Sequence, residues 1–213
     1  MDMTFRRAFL RSWTQVRCRE VDGTTKLIVA LVTAGASYLL LSARGAEITQ
    51  VQPAPVIADR VVLYSADMLR YGAEQGVNPA LIASMITVES GGKATAHGAA
   101  GEVGLMQVLP STGKWIADVS LGELTVPSVN IRTGTAYLRY CIDRKGGNVA
   151  AGVAGYNYGP DRVKIEGNKI IVPVSVLQYM IKVLSFTDAY RRLLTQKLGA
   201  FYSNAFPTKA LII

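Results

Sequence analysis

The sequence predicts a mainly α domain with one small irregular or β lobe, preceded by an N-terminal transmembrane helix. Three observations predict it. Apolar residues recur at helical spacing between Asp59 and Gln196, with Asn, Pro and Gly at the expected starts and stops. The stretch Gly92–Gly104 (GKATAHGAAGEVG) is rich in Gly and Ala and carries no such stripe. Near the start, Leu27–Ala43 (LIVALVTAGASYLLLSA) is an uncharged apolar run bracketed by Lys26 and Arg44.

That run sits at the lower limit of a spanning helix, which needs about 17–25 apolar residues. Arg6, Arg7, Arg11, Arg17, Arg19 and Lys26 precede it, against Asp2, Glu20 and Asp22. The excess of basic residues predicts a cytoplasmic basic segment over 1–26 and an anchor (or uncleaved signal) over 27–43. Everything after Arg44 then lies across the cytoplasmic membrane, in the periplasm. A cleaved signal peptide ending near Ser42-Ala43 competes with this, but the basic leader is long for one. Cys18 and Cys141 fall on opposite sides and cannot pair within one chain, so Cys141 reads as a small buried apolar residue. Residues 44–58, with Pro53 and Pro55, read as a semi-stiff linker. A folded domain follows over 59–196, then an apolar tail over 197–213 with no assigned role.

Within the domain, Val62, Ala66, Leu69 and Ala73 predict one helical face, stopped by Gly76. Asn78-Pro79 supplies an N-cap and a first helical residue, and Leu81, Ile82, Met85, Ile86 and Val88 continue to Gly91-Gly92. Glu89 therefore falls in the last turn of a strongly apolar helix. Pro110-Ser111-Thr112 opens another helix. Pro127 opens a longer one, with Asn130, Gly134, Tyr137, Leu138 and Cys141 along one side up to Gly146-Gly147. Val149 to Tyr156 is a short helix of small residues, Val163–Val172 a hairpin around Gly167-Asn168, and Ser175–Gln196 a last helix.

Composition excludes several classes of function. The chain has 213 residues and a formal net charge of +8, yet no basic stripe or nucleic-acid motif, so no nucleic acid is expected as a partner. Beyond Lys26 there are 17 basic and 12 acidic residues, a balance that suits weak attraction to an anionic wall polymer. His97 is the only histidine, and no Cys or His spacing suits a metal, so no metal and no cofactor is expected.

Glu89 is the residue with chemical promise. A general acid working near neutral pH needs its pKa raised well above ~4.3. Apolar surroundings do this by penalising the charged form, and the carbonyl end of a helix adds to it. Both signs are present at Glu89, although an ordinary solvated Glu at a helix end shares them. Companion motifs decide between the two. Glu89-Ser90 is followed by Gly104-Leu105-Met106-Gln107 with Pro110 and Thr112. Next come Asn130-Ile131-Arg132-Thr133-Gly134 leading to Tyr137-Leu138, and Ala154-Gly155-Tyr156-Asn157-Tyr158-Gly159-Pro160. In order and spacing these resemble the motifs of the soluble-type (SLT) lytic transglycosylase family, over roughly residues 60 to 190.

The resemblance implies the lysozyme-like fold, shared with goose-type lysozymes, and a catalytic domain over 59–196. It implies cleavage of the β-1,4 bond between N-acetylmuramic acid and N-acetylglucosamine in peptidoglycan glycan strands. Glu89 would be the single catalytic acid/base, and closure of a 1,6-anhydro ring would make the enzyme formally a lyase. Ser90, Gly104, Met106, Gln107, Tyr156 and Asn157 are carried over as substrate-binding or positioning residues. Gly104 would allow close approach of sugar, Gln107 would offer amide hydrogen bonds, and the Tyr156 hydroxyl would bond Glu89. Asn130 would satisfy buried backbone groups, Gly134 would permit close helix packing, and Leu105 would be core. The chain departs from the family where Gly98 stands for a common Ser and Val126 for a common Asp. It also lacks an acidic residue in Pro173-Val174-Ser175-Val176, ahead of Tyr179-Met180.

Two alternatives stay open. A hydrolytic muramidase on the same fold would need a second carboxylate, for which Glu102 is the candidate. A non-catalytic glycan-binding or structural component of a phage or secretion apparatus would need neither. The expected setting is a local opening of the wall, with the membrane (through the N-terminal helix) and phage or secretion-machine components as partners.

Overall fold

The computed structural model describes residues 27–30, 39–41 and 59–206. Helix α1 (Asp59–Val62) is one short turn, and a break at Leu63-Tyr64 leads into α2 (Ser65–Gln75). The break changes the helical phase. The buried residues are therefore Val61, Met68, Tyr71 and Gly72, whereas Ala66 and Ala73 of the expected face are exposed. Gly76 ends α2 in the left-handed region, as its position implied.

Helix α3 (Pro79–Ser90) begins where the Asn78 side chain accepts a hydrogen bond from the Ala80 N–H at 2.9 Å, and Gly91 ends it with φ of 60°. All residues from Pro79 to Ile86 are buried, so α3 is the central helix. An irregular lobe follows, pinned by isolated bridges of Val103 to His97 and to Val108. Then come α4 (Pro110–Ala117) and α5 (Leu121–Leu124), the latter closed by a Ser120–Glu123 capping box. Helix α6 (Pro127–Asp143) buries Asn130, Gly134, Leu138 and Cys141 on one side. Helix α7 (Val149–Tyr158), capped by Asn148, is buried from Val149 to Gly155. A long α8 (Val174–Leu198) packs along α3 and α7, which completes the core around Leu81, Ile82, Met85 and Leu177. The last helix, α9 (Ala200–Ala205), lies in the tail and buries Tyr202, whose hydroxyl donates to the Asn78 side chain at 2.6 Å.

Strands β3 (Lys164–Glu166) and β4 (Lys169–Val172) form the expected hairpin around Gly167-Asn168. The apolar run near the N-terminus differs from expectation. Its described residues are strands β1 (Leu27–Ala30) and β2 (Leu39–Leu41), in an antiparallel sheet of order β2-β1-β4-β3. β1 pairs with β4 in the register Leu27 to Val172 and Ala30 to Lys169. A short Leu/Ile/Val run suits a strand as well as a helix, and the open edge of β4 offers its backbone groups partners. Residues 31–38 and 42–43 of the expected anchor, the basic segment 1–26, the linker 44–58 and the tail beyond 206 lie outside the described residues. No helix among the described residues is long and apolar enough to cross a membrane.

Candidate active site

A cleft of about 290 Å³ opens between the end of α3, the irregular lobe and the helix pair α6–α7. Glu89, Gly98, Ala99, Glu102, Gln107, Val108, Leu109, Thr112, Tyr137, Tyr156 and Asn157 line it.

Glu89 is half-buried and its pKa is raised to about 7. Burial is the main cause, the hydrogen bond from Tyr179 works against it, and the charge of Glu102 adds a smaller upward push. At neutral pH the group is thus poised between acid and carboxylate, as a residue that must first give and then take a proton requires.

The tyrosine that holds Glu89 is not the one expected. The Tyr179 hydroxyl, from the first turns of α8, donates to Glu89 Oε1. The Tyr156 hydroxyl instead donates to the Met106 carbonyl at 2.8 Å, so it ties α7 to the lobe. Burial, followed by the Glu89 charge, raises both phenols well above their ordinary pKa, which keeps them protonated donors. The sequence signal for Tyr179 is its place three residues beyond buried Val176 and next to buried Met180, a polar-tipped aromatic on an otherwise core-facing stripe.

The lobe is held by backbone bonds. Asn130, wholly buried on α6, accepts from the Met106 N–H at 2.8 Å and donates to the Val103 and Leu124 carbonyls, both at 2.9 Å. This is the backbone-satisfying role its position suggested. Gly104, with φ of 81°, is buried against Asn130, whose amide occupies the space a Cβ would need. Its missing side chain thus serves that contact and not a sugar. Met106 is likewise fully buried, with its side chain against Gly134, where a Cβ would come within 2.7 Å. Gly134 therefore admits Met106 where a helix neighbour was expected. Ser90 Oγ donates to the Leu105 carbonyl at 2.8 Å, a tie between α3 and the lobe, and Leu105 is core.

Gln107 and Asn157 do reach the cleft. Gln107 takes the uncommon φ of 47°, and its Nε2 donates to the Gly104 carbonyl at 2.9 Å and to Ala96 at 3.2 Å. Those bonds leave its Oε1 toward the cleft, within 2.9 Å of where a Gly98 Cβ would stand. Gly98 also makes room for the Glu102 carboxylate, which accepts from the Ala100 N–H at 3.0 Å. His97 is exposed, and no group of metal-ligating side chains occurs among the described residues. The Cys141 thiol is buried, which pushes its pKa up to about 12.

A half-buried glutamate at a helix end, bonded by a tyrosine and facing a glycine-rich lobe, can be compared with known proteins. The model of the Transglycosylase SLT domain matches residues 68–169. The match takes in Glu89, the lobe and the helices α6 and α7, just under half of the chain. The endo-type membrane-bound lytic murein transglycosylase A of Klebsiella pneumoniae is 43% identical over 75 residues, covering 32% of this chain and 37% of that protein. The soluble lytic murein transglycosylase of Salmonella typhimurium is 27% identical over 153 residues, covering 63% and 24%. Among solved structures, an inactive Glu-to-Gln mutant of the lytic transglycosylase Slt of Pseudomonas aeruginosa superposes with a TM-score of 0.55 at 29% identity, covering 63% of this chain and 24% of that one. The 70-kDa soluble lytic transglycosylase of Escherichia coli gives 0.57 at 24% identity, covering 69% and 26%, and bears on the fold alone. The chain thus spans 37% and 24% of the length of these two curated relatives. The matched segment begins within α2 and ends at the start of β4, so the Tyr179 bond to Glu89 comes from outside it.

Proposed function

We propose that this chain is a peptidoglycan lytic transglycosylase, cleaving the β-1,4 bond between N-acetylmuramic acid and N-acetylglucosamine. The observation that carries the reading is Glu89 with its pKa near 7 in the cleft of an SLT domain. Protonated Glu89 gives its proton to the glycosidic oxygen as the C1–O bond breaks. The resulting carboxylate takes the proton of the muramyl 6-hydroxyl as O6 bonds to C1. Glu89 ends protonated, water is not consumed, and the product carries a 1,6-anhydro ring. Tyr179 holds the carboxyl in place through both steps, while Gln107 and Asn157 offer amide groups to the sugars.

Substituting Glu89→Gln tests this. Lysis of purified cell walls is expected to fall by at least about a thousandfold, because the amide cannot cycle a proton. Unchanged lysis would remove Glu89 from the mechanism. Glu102 supports a second reading, since it lines the same cleft and raises the pKa of Glu89. As a second carboxylate it could direct water, and mass spectra of the digest would then show reducing muramic ends in place of anhydro ends.

The membrane-bound relative in Klebsiella supports placing this chain at a membrane, with its cleft on the side where the wall lies. Local opening of the wall beside a phage or secretion channel suits such a placement.

A further inference from the structure

The cleft continues outward as a row of aromatic rings that the cleavage chemistry does not use. Tyr156 and Tyr137 line the cleft, with ring centroids 5.0 Å apart. Tyr140, one turn along α6 from Tyr137, lies nearly parallel to it at 15° and 6.3 Å. Trp115 closes the row, meeting Tyr140 edge to face at 4.8 Å and Tyr137 at 6.4 Å. It is 59% exposed, although its ring is the largest side chain in the row. It lies one turn beyond Thr112 on α4, and Thr112 is itself a cleft residue.

An indole left in solvent forgoes much of the gain from burial, and side chains of this kind are enriched at recognition surfaces. Here its orientation is fixed by two tyrosines, and the row runs without a break into the cleft. We infer that Trp115 with Tyr140 forms an outlying glycan subsite, on which a sugar several residues from the cleaved bond stacks its C–H face. A glycan strand is the occupant that fits. Its flat pyranose rings carry apolar C–H faces, and whatever lies across Glu89 must extend beyond the cleft when the polymer is long. The inference rests on the glycan-cleaving reading above.

The test uses the full chain carrying Glu89→Gln, so that bound sugar is not consumed, with and without Trp115→Ala. Dissociation constants for the trimer and hexamer of N-acetylglucosamine are measured by calorimetry. Trp115→Ala is expected to weaken the hexamer about five- to tenfold more than the trimer, the scale of one lost ring contact. Trp115→Phe, which keeps a flat ring, is expected to restore most of that difference. Equal losses for both lengths, no loss for the hexamer, no binding of either oligomer, or no rescue by Phe would each overturn the subsite. Failure of the cleavage reading shows separately, as unmodified Glu89 protein that releases no soluble fragments from cell walls while the oligomers still bind.

Discussion

The two walls of the cleft are made of different material. One is helical: Glu89 ends α3, Tyr156 and Asn157 end α7, and Tyr179 reaches in from α8. The other is the irregular lobe, where Gly98, Ala99, Glu102 and Gln107 face the cleft from backbone with little regular structure. On the helical wall, burial and one hydrogen bond set the protonation of a single carboxyl. On the lobe wall, an asparagine from α6 fixes the path of the chain by bonding main-chain groups. The difference teaches that proton chemistry and cleft shape rest on separate residues, which makes them separable by substitution.

Asn130→Ala attacks the lobe wall and carries the largest expected cost. Three hydrogen bonds at a fully buried position are lost; the Val103 carbonyl keeps the Val108 N–H, whereas the Met106 N–H and the Leu124 carbonyl lose this partner. Each buried unsatisfied group costs about 1–3 kcal/mol, so a loss of about 4 kcal/mol is expected in urea denaturation. In the fraction that stays folded, KM should rise while the alkaline limb of the pH profile stays near 7. A shifted limb with unchanged KM would mean that the lobe governs protonation after all.

Tyr179→Phe attacks the helical wall. The hydrogen bond from Tyr179 favours the charged form of Glu89, so its loss raises the pKa above about 7. Because the protonated acid starts the reaction, the alkaline limb should move to higher pH. The carboxyl also loses its anchor, and kcat should fall about ten- to a hundredfold with little change in KM. Tyr156→Phe is the natural control, since its hydroxyl bonds the Met106 carbonyl and not Glu89. It should leave the limb in place. Identical profiles for the two variants would contradict the division between them.

How far each wall could be read from sequence follows from the same difference. Asn78-Pro79 with Gly91 marks α3 by local capping chemistry, so the place of Glu89 at its end was legible without any tertiary information. The Gly167-Asn168 hairpin and the Asn130 role were legible in the same way, since each depends on a residue type with few alternative uses. What was not legible depends on which distant elements meet. Tyr156 and Tyr179 are both polar-tipped aromatics on apolar helices, and only the packing of α8 against α3 decides which reaches Glu89. A glycine at 104 suits room for sugar by residue type alone, yet that room is filled by Asn130, a residue 26 positions away. At the N-terminus the Leu/Ile/Val run is compatible with helix and strand alike, and pairing with β4 decides for the described residues.

Glu102→Gln gives the smallest expected effect and the sharpest sign. Glu102 belongs to the lobe, yet its charge raises the pKa of Glu89, so through it the lobe acts on the protonation of the helical wall. Neutralising it removes a repulsion that disfavours the Glu89 carboxylate, and the alkaline limb should move to lower pH, by less than about one unit. The glutamine keeps an oxygen that can accept from the Ala100 N–H, so the lobe should hold its shape and KM should change little. Tyr179→Phe and Glu102→Gln are therefore expected to shift the same limb in opposite directions. Raising the ionic strength should shrink the Glu102 effect, because it is a through-space charge interaction at a solvated cleft, while leaving the Tyr179 effect intact. A limb that moves up in both variants would show Glu102 acting through the shape of the lobe. Loss of all cleavage in Glu102→Gln would show it acting on water, which moves the chemistry from a lone carboxyl to a pair.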